Sequence, residues 1–311
     1  MQIYISGSLA FDRIMSFPDK FSNHILPEKI HILNVCFLVN GLDERFGGTG
    51  GNIAYNLSLL GEKPILLSQV GKDFAAYDTW LQKHGISVEG IRTVEQEFTA
   101  GAYITTDQSD NQITGFNPGA MKYPSQYDMS TIDPAEALGI ISPGNLSDMM
   151  DHPRYYREHG IPFIFDPGQQ ITAFSGEQLA GAFDGAEILI TNDYELEMIM
   201  KSAEMTKEEV VDKVAYLITT LGEHGSVVNC KGEETQIPAV PVSEVADPTG
   251  AGDAYRSGLL KGLAMEKTVV EAAQLGAVCS AYAIEKKGTQ EHCFTMDEFR
   301  KRYEVSFGPL E

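Results

Sequence analysis

The sequence has few cysteines, and they are not arranged as disulfide or metal-binding patterns. Its four cysteines, at 36, 230, 279 and 293, show neither paired spacing nor the spacing of metal ligands. The sequence also has no basic leader at its start and no long apolar run, so we expect neither a secretion signal nor a membrane span. These absences predict a reduced, cytoplasmic protein.

Basic residues are scarce as well. The chain has 23 Lys and Arg against 44 Asp and Glu, a net charge of −21. A charge of this sign repels polyanions, so we expect neither a nucleic acid nor an anionic membrane as a partner. The 311 residues, 43% of them hydrophobic, are enough to bury the core of one large α/β domain.

Short apolar strands alternate with helical patterns along most of the chain. The predicted strands include 2–6, 64–70, 138–142, 161–165 and 187–191, and the predicted helices include 74–84, 250–265, 268–285 and 296–303. This alternation predicts a mostly parallel sheet that helices cover on both faces. We expect one domain that spans residues 1–311.

Two segments depart from this alternation. Residues 29–46 contain strand-like residues without helical periodicity, and 101–106 with 112–116 have the pattern of a hairpin that turns near Asp110. We expect these segments to form a small β-sheet lid, inserted in the core at about 13–46 and 98–118.

The most informative stretch is Asp-Pro-Thr-Gly-Ala-Gly-Asp at 247–253, which leads into a helical pattern. A loop of small residues at a helix start leaves backbone N–H groups free, and the helix dipole favours an anion there. Asp253 falls beside that anion site, where a carboxylate is suited to accept a hydroxyl proton. The stretch predicts phosphoryl transfer to an alcohol, with an ordinary helix cap as the alternative.

Polar residues follow several predicted strands. Asp12 comes after the first strand, where open α/β sheets hold ligands, although a loop cap explains it equally well. Gln169 and Gln170 place two amides beyond the strand at 161–165. The glycine-rich run 47–52, ending in Asn52, lets a ligand approach the backbone closely.

Two further motifs have simple structural explanations when taken alone. Asn192 followed by Glu195 has the spacing of a helix capping box. The run 217–225 reads as a strand, a glycine turn and a second strand, which on its own predicts a hairpin.

The motifs at 47–52, 192–195, 220–225 and 247–253 together resemble, in order and spacing, those of the ribokinase-like, or PfkB, family of small-molecule kinases. The resemblance covers essentially the whole chain, and no P-loop or protein-kinase motif competes with it. It implies a three-layer α/β/α core with a β lid, ATP as the phosphoryl donor and Mg²⁺ as the metal. A non-catalytic nucleoside sensor is the alternative, and the retained Asp253 argues against it.

The resemblance assigns roles to individual positions. Asp253 matches the catalytic base, and Gly250, Ala251 and Gly252 match the backbone anion hole. The positions that match the sugar site are Ser8, Asp12, Gly48 and Asn52. Those that match the nucleotide site are Asn192, Glu195, Thr220, Gly222 and Gly225, with Glu195 acting on Mg²⁺ indirectly. Asp247 and Thr249 match a K⁺ site, although a turn cap explains Asp247 equally well.

Within the family, the segments 7–12, 116–121, 166–170 and 191–195 resemble the bacterial adenosine kinases. The expected acceptor is therefore the 5′-hydroxyl of adenosine, giving AMP, with Phe116, Gln169 and Gln170 at the base. Two departures leave the base preference open, because those enzymes have Phe where this chain has Ala102 and Ser where it has Cys36. A sugar such as ribose or fructose is the alternative acceptor.

Open strand edges in the lid predict self-association. Strands expected at 30–39 and 101–116 would expose apolar residues such as Phe37, Val39 and Ile104. Strand edges of this kind are normally paired or covered. Related enzymes pair their lids, so we expect a homodimer through the lid.

Overall fold

The computed structural model describes residues 1–310 and contains two sheets with helices around the larger one. The strands of these residues are β1 (Gln2–Ser6), β2 (Ala10–Ser16), β3 (Asn40–Gly47), β4 (Ile65–Gly71), β5 (Ile91–Val94), β6 (Ala100–Thr106), β7 (Gln112–Asn117), β8 (Ala137–Ile141), β9 (Phe163–Phe165), β10 (Ile188–Asn192), β11 (Tyr216–Thr220), β12 (Ser226–Cys230) and β13 (Glu233–Ile237). The helices are α1 (Thr49–Leu59), α2 (Ala75–Lys83), α3 (Leu146–His159), α4 (Gly176–Phe183), α5 (Asp193–Ala203), α6 (Lys207–Val211), α7 (Ala251–Ala264), α8 (Val269–Ile284) and α9 (Met296–Phe307).

The larger sheet has nine strands in the order β13-β12-β11-β10-β9-β8-β1-β4-β5. The pairs from β5 to β11 are parallel, and β12 and β13 are added antiparallel. In β1, Ile3 and Ile5 belong to the core beneath α1, α2, α7, α8 and α9, whereas Tyr4 belongs to the core beneath α3 to α6. Side chains alternate between the faces of a strand. The sheet is therefore covered on both faces, which confirms the predicted three-layer fold.

Parallel pairing brings the carboxyl ends of these strands to one edge of the sheet. The loops after β1, β8 and β9 meet there, since the Ser8 N–H donates to Pro143 O at 3.0 Å and the Gln170 amide donates to Gly144 O at 3.2 Å. The starts of α1, α5 and α7 carry the predicted site residues Asn52, Glu195 and Asp253.

The smaller sheet has four strands in the order β3-β2-β6-β7. The predicted hairpin of β6 and β7 is confirmed, with Asp110 at a φ of 58° in its turn. Arg45, Asp12, Ala102 and Phe116 are paired in a row across the four strands. Directly paired residues share a face of a sheet, so these four side chains lie on one face.

The prediction of strands at 30–39 is wrong. Residues Pro27–Ile32 form 3₁₀ turns, 33–39 have no regular structure, and the strand of this region is β3. The centroid of the Phe37 ring lies 4.7 Å from that of Phe17 and 5.1 Å from that of Phe21. Phe37 is therefore held by aromatic packing and not by a place in a strand. Cys36 is consequently exposed and outside the small sheet.

Helices α7 and α8 pack closely because small residues face each other. A Cβ on Gly258 would lie 2.4 Å from the Leu275 carbonyl oxygen, which leaves no room for a side chain. This contact fixes α7 against α8 and holds the start of α7 at the edge of the large sheet. Within residues 1–310 no helix is both long and apolar enough to span a membrane.

Candidate active site

The loop before α7 presents free backbone donors. The N–H groups of Gly250, Gly252 and Asp253 have no acceptor in residues 1–310, whereas the Ala251 N–H donates to Pro248 O at 3.2 Å. Gly250 has a φ of +80°, which favours glycine. The start of α7 therefore has the free donors and the dipole that bind an anion.

Asp253 lies beside these donors. Burial raises the pKa of its carboxyl group to about 6, although the Arg256 charge and a hydrogen bond from Asn52 act in the other direction. The Asn52 amide Nδ2 donates to Asp253 Oδ2 at 2.8 Å, and Oδ1 accepts no hydrogen bond from residues 1–310. At neutral pH the group is a carboxylate that is more basic than usual and has one free oxygen, as a general base requires.

Arg256 and Asp166 form an ion pair next to Asp253 that the sequence analysis did not assign to the site. Arg256 Nη2 donates to Asp166 Oδ1 at 2.6 Å, and Nε lies 2.6 Å from Oδ2. A Cβ on Gly252 would lie 2.5 Å from Arg256 Nη1, so the guanidinium packs against the anion loop. The available signals were an Arg three residues after Asp253 on the same helical face and an Asp at a strand end.

The predicted sugar site surrounds the start of α1. Gly48 has a φ of +86°, and a Cβ there would lie 2.6 Å from Ser8 O. The backbone before α1 is therefore in direct contact with the backbone of the loop after β1. Ser8 Oγ accepts from the Thr49 N–H at 3.2 Å and thus supports the helix start. Burial raises the pKa of Asp12, partly offset by the Arg45 charge, and its carboxylate lies against Gly47.

The residues predicted to contact the base are more scattered. Phe116 is 50% exposed on the edge strand β7, and Gln169 is exposed. Gln170 is half-buried and bonded to Gly144. Within residues 1–310 the structure brings neither Phe116 nor Gln169 into a hydrogen bond or ring contact with the other predicted site residues.

Asn192 and Glu195 form the capping box of α5. Asn192 Oδ1 accepts from the Glu195 N–H at 2.7 Å, and Glu195 Oε2 accepts from the Asn192 N–H at 2.8 Å. Burial raises the pKa of Glu195, and the charges of Asp166 and Arg256 act on it from nearby. The box leaves Glu195 Oε1 free and places it near the ion pair.

A cleft of about 780 Å³ joins two of the predicted motifs. Thr220, Gly222 and Gly225 line it together with Ala251 and Gly252 of the anion loop. The remaining wall is mostly aliphatic and includes Val240, Val242, Ala277, Ala281 and Ile284. A cavity with apolar walls and a few polar groups at one end is typical of small-molecule sites.

Asp247 organises the turn before the anion loop. Its Oδ1 accepts from the Thr249 N–H at 2.9 Å and its Oδ2 from the Gly288 N–H at 3.0 Å. Burial alone would raise the pKa of Asp247, but these hydrogen bonds and the Arg45 charge hold it below its usual value. Residues 1–310 contain no cluster of three or more His, Cys, Asp or Glu that could hold a metal ion.

Comparisons with known proteins identify the family of this chain. A family model described as pfkB family carbohydrate kinase matches residues 24–295. The structure of Burkholderia thailandensis nucleoside kinase in complex with inosine is 36% identical in sequence, has a TM-score of 0.83 and aligns over 98% of each chain.

Two curated relatives extend the comparison. The nucleoside kinase of Methanocaldococcus jannaschii is 29% identical over 89% of this chain and 91% of its own. The ribokinase of Haemophilus influenzae is 26% identical over 81% of this chain and 85% of its own. The matched length, the fold and the motifs together lead to one assignment. The chain belongs to the pfkB family of carbohydrate kinases, phosphotransferases that act on an alcohol group.

Proposed function

We propose that this protein transfers the γ-phosphoryl group of ATP to the 5′-hydroxyl of a nucleoside, with Asp253 as the base. The observation that carries the proposal is a basic carboxylate with one free oxygen beside the unpaired N–H groups of Gly250 and Gly252. The acceptor oxygen forms a bond to the γ-phosphorus, and the bond to the β–γ bridging oxygen breaks. The hydroxyl proton passes to Asp253, and ADP leaves with the electron pair.

The chain's own groups supply positioning and charge for this step. Free N–H groups of the anion loop and the Arg256 guanidinium face the negative phosphoryl oxygens. Glu195 has one oxygen free of its capping box, and carboxylate oxygens with water are the ligands that Mg²⁺ prefers, so it fits an indirect Mg²⁺ site. Mg²⁺ neutralises phosphate charge when bound.

The cleft at Thr220, Gly222 and Gly225 suits the nucleotide donor, because it opens directly onto the anion loop. We assign the acceptor to the other side of Asp253, where Asp12, Gly48 and Asn52 suit the ring hydroxyls of a ribose. In this assignment Asp12 accepts both hydroxyls, and Ser8 contributes by holding the start of α1.

The case for a nucleoside over a free sugar rests on Phe116 and the two glutamines. Phe116 offers a stacking face, and Gln169 and Gln170 offer amides that suit the edge of a purine. A free sugar would leave these groups without a partner. The nucleoside kinases among the similar proteins support this choice, and the ribokinase supports the alternative of a sugar such as ribose or fructose. Among nucleosides, adenosine is our first candidate, followed by inosine.

The small sheet would act as a lid in this scheme, because Asp12, Ala102 and Phe116 share the face that carries the substrate groups. Each oxygen of Asp247 accepts one N–H and keeps a lone pair, so a K⁺ ion near Asp247 and Thr249 is compatible with its role in the turn. Such an ion would fix the anion loop.

The test is kcat/KM for adenosine, inosine, guanosine, ribose and fructose with ATP and Mg²⁺, each in K⁺ and in a bulky organic cation at equal ionic strength. We expect a purine nucleoside to lead, and turnover to be faster in K⁺. A higher kcat/KM for ribose or fructose would favour the sugar kinase, and equal rates in the two salts would exclude the K⁺ role.

A further inference from the structure

A chain of three side-chain hydrogen bonds runs from the single tryptophan of the sequence to Asp253. Trp80 Nε1 donates to Gln290 Oε1 at 2.8 Å, and Gln290 Nε2 donates to Asn52 Oδ1 at 3.0 Å. Asn52 Nδ2 then donates to Asp253 Oδ2 at 2.8 Å. Gln290 is 2% exposed and Asn52 is 5% exposed, so water does not compete for these groups.

The direction of donation along this series of hydrogen bonds is set at its Trp80 end. An indole N–H can only donate, so the oxygen of the Gln290 amide must face Trp80. Tyr77 adds a second constraint, because its hydroxyl donates to Gly47 O at 2.8 Å and so accepts from Gln290 Nε2, also at 2.8 Å. With its oxygen toward Trp80, Gln290 presents only N–H groups to Asn52.

The same constraint passes to the next amide. Asn52 must turn its oxygen toward Gln290, and its N–H₂ group therefore faces Asp253. The main chain that carries this side chain is also fixed, since the backbone N–H of Asn52 donates to Gly48 O at 2.9 Å. An amide that could rotate freely would instead be able to present its oxygen to the carboxylate.

We propose that Gln290 is a positioning residue for catalysis: held by Trp80 and Tyr77, it orients Asn52 so that one oxygen of Asp253 always receives a hydrogen bond and the other stays free for the substrate hydroxyl. This inference rests on the proposed role of Asp253 as the base. It gives a function to the loop 288–290 beyond contact with the turn at Asp247.

Other charged and titratable groups also act on Asp253. Within residues 1–310, Gln290 makes no hydrogen bond to Arg256 or Asp166, and Tyr77, which accepts from Gln290, keeps its own hydrogen bond to Gly47 O when Gln290 is changed. Arg256 lies on the same helix, Asp166 reaches in from the loop after β9, and Tyr77 faces the carboxylate from α2. Loss of the Asn52 donor would therefore act on Asp253 while the charges around it stay the same. A hydrogen bond to a charged group is strong enough to move a pKa by about one to two units.

The experiment is a double-mutant cycle read in the pH dependence of kcat/KM, which reports the free enzyme's essential base. Gln290→Met keeps the length of the side chain and removes both donor and acceptor. We expect Gln290→Met to move the acid limb up by about one pH unit and Asn52→Ala by about one to two units. If Gln290 acts through Asn52, the double variant will have the acid limb of Asn52→Ala alone.

The matched control is Tyr55→Phe, which removes a nearby buried hydrogen bond from the Tyr55 hydroxyl to His292 O at 2.6 Å and leaves the chain from Trp80 intact. Its pH profile should match the unmodified enzyme. Fluorescence of Trp80 during thermal unfolding verifies that each variant is folded.

Two results would overturn the inference: a Gln290→Met profile that superimposes on that of the unmodified enzyme, or a full Gln290→Met shift that persists in the Asn52→Ala background. Asp253→Asn is measured alongside. If it keeps full turnover, the proposed base is wrong, whereas an inactive Asp253→Asn with an unshifted Gln290→Met rejects only the positioning role.

Discussion

Burial raises the pKa of Asp253 to about 6, and this single residue sets the expected pH dependence of the enzyme. The base must be deprotonated to accept the hydroxyl proton. As the pH falls through about 6, protonation removes the base, so kcat/KM should fall about tenfold for each further pH unit. Asp253→Asn should lower kcat by about 10²–10⁴ and leave nucleoside affinity nearly unchanged.

Steady-state kinetics and calorimetric titration of the nucleoside measure the two quantities separately. An acid limb that is unchanged in Asp253→Asn would assign the titration to another group. Near-full kcat in that variant would remove Asp253 from the mechanism.

Arg256 is the second residue for which we propose a role in the chemistry, and its ion pair with Asp166 allows a structural and a catalytic role to be separated. Arg256→Gln leaves Asp166 buried without a partner, which should destabilise the fold by about 3–5 kcal/mol. The double variant Asp166→Asn with Arg256→Gln removes both charges and should recover most of that stability. If Arg256 also faces the transferring phosphoryl group, kcat of the double variant should stay about 10²–10³ below normal.

Urea unfolding and kcat of the three proteins provide the measurements. A double variant that is both stable and fully active would show that the pair only supports the fold.

At the scale of elements, the sequence predicted those helices and strands for which the turn residues and the apolar pattern indicate the same structure. The start of α7 was predictable because Gly250 and Gly252 mark the loop and Leu259 and Leu260 mark the buried helix face. Strand β10 was predictable because Ile188, Leu189 and Ile190 form an apolar run that is buried on both faces of the sheet. The three-layer core could be predicted for the same reason, and the structure confirms it.

The small sheet was harder to predict. The first five residues of strand β3 are exposed and its sequence is Asn-Gly-Leu-Asp-Glu-Arg-Phe-Gly, so no hydrophobic alternation marks it. The strand was instead predicted upstream because residues such as Ile30 and Ile32 are apolar, although in the structure they are 64% and 67% exposed. Arg256 was missed for another reason: its partner Asp166 is 90 residues away in sequence and only the tertiary fold brings them together.

The row of paired residues across the small sheet leads to a specificity prediction. Ala102 lies between Asp12 and Phe116 on one face of the sheet. An aromatic ring at position 102 would therefore lie beside Phe116 and next to the carboxylate of Asp12, which we propose binds the sugar. Ala102→Phe should strengthen adenosine binding by about 1 kcal/mol, close to fivefold, through stacking on the base. Ribose has no base, so its binding should not improve.

The matched control is Ala102→Leu, which adds apolar volume without an aromatic face. Calorimetric Kd values for adenosine and ribose distinguish the possibilities. An equal gain from Leu and Phe would attribute the effect to apolar burial, and a gain for ribose would place position 102 away from the base.

At the scale of the whole molecule, the net charge of −21 opposes the approach of a nucleotide. The protein offsets this locally, because Gly252 of the anion loop lines the cleft with a free N–H group and the Arg256 guanidinium packs against the same residue. The N–H group belongs to the uncharged backbone, and the Arg256 charge is paired with Asp166. The attraction for a nucleotide is therefore confined to the site. The exposed apolar residues Leu38 and Leu42 mark a segment in and just before strand β3, apart from this site.

That exposed segment is the basis of the last prediction, a homodimer through the small sheet. Leu38 and Leu42 are 84% and 60% exposed, and Leu42 lies in β3, an edge strand that pairs only with β2 among the strands of residues 1–310. Open edges beside apolar side chains are normally covered, and a second copy can pair the same edges. The edge that we propose for the dimer is therefore β3 rather than the strand first expected at 30–39. Light scattering should give a mass twice 34.1 kDa at micromolar concentration. Leu38→Glu with Leu42→Glu should yield monomer, whereas Val305→Glu, at an 82% exposed position on α9, should not. A monomeric unmodified protein would refute the dimer, and a dimer that survives both glutamates would place the interface elsewhere.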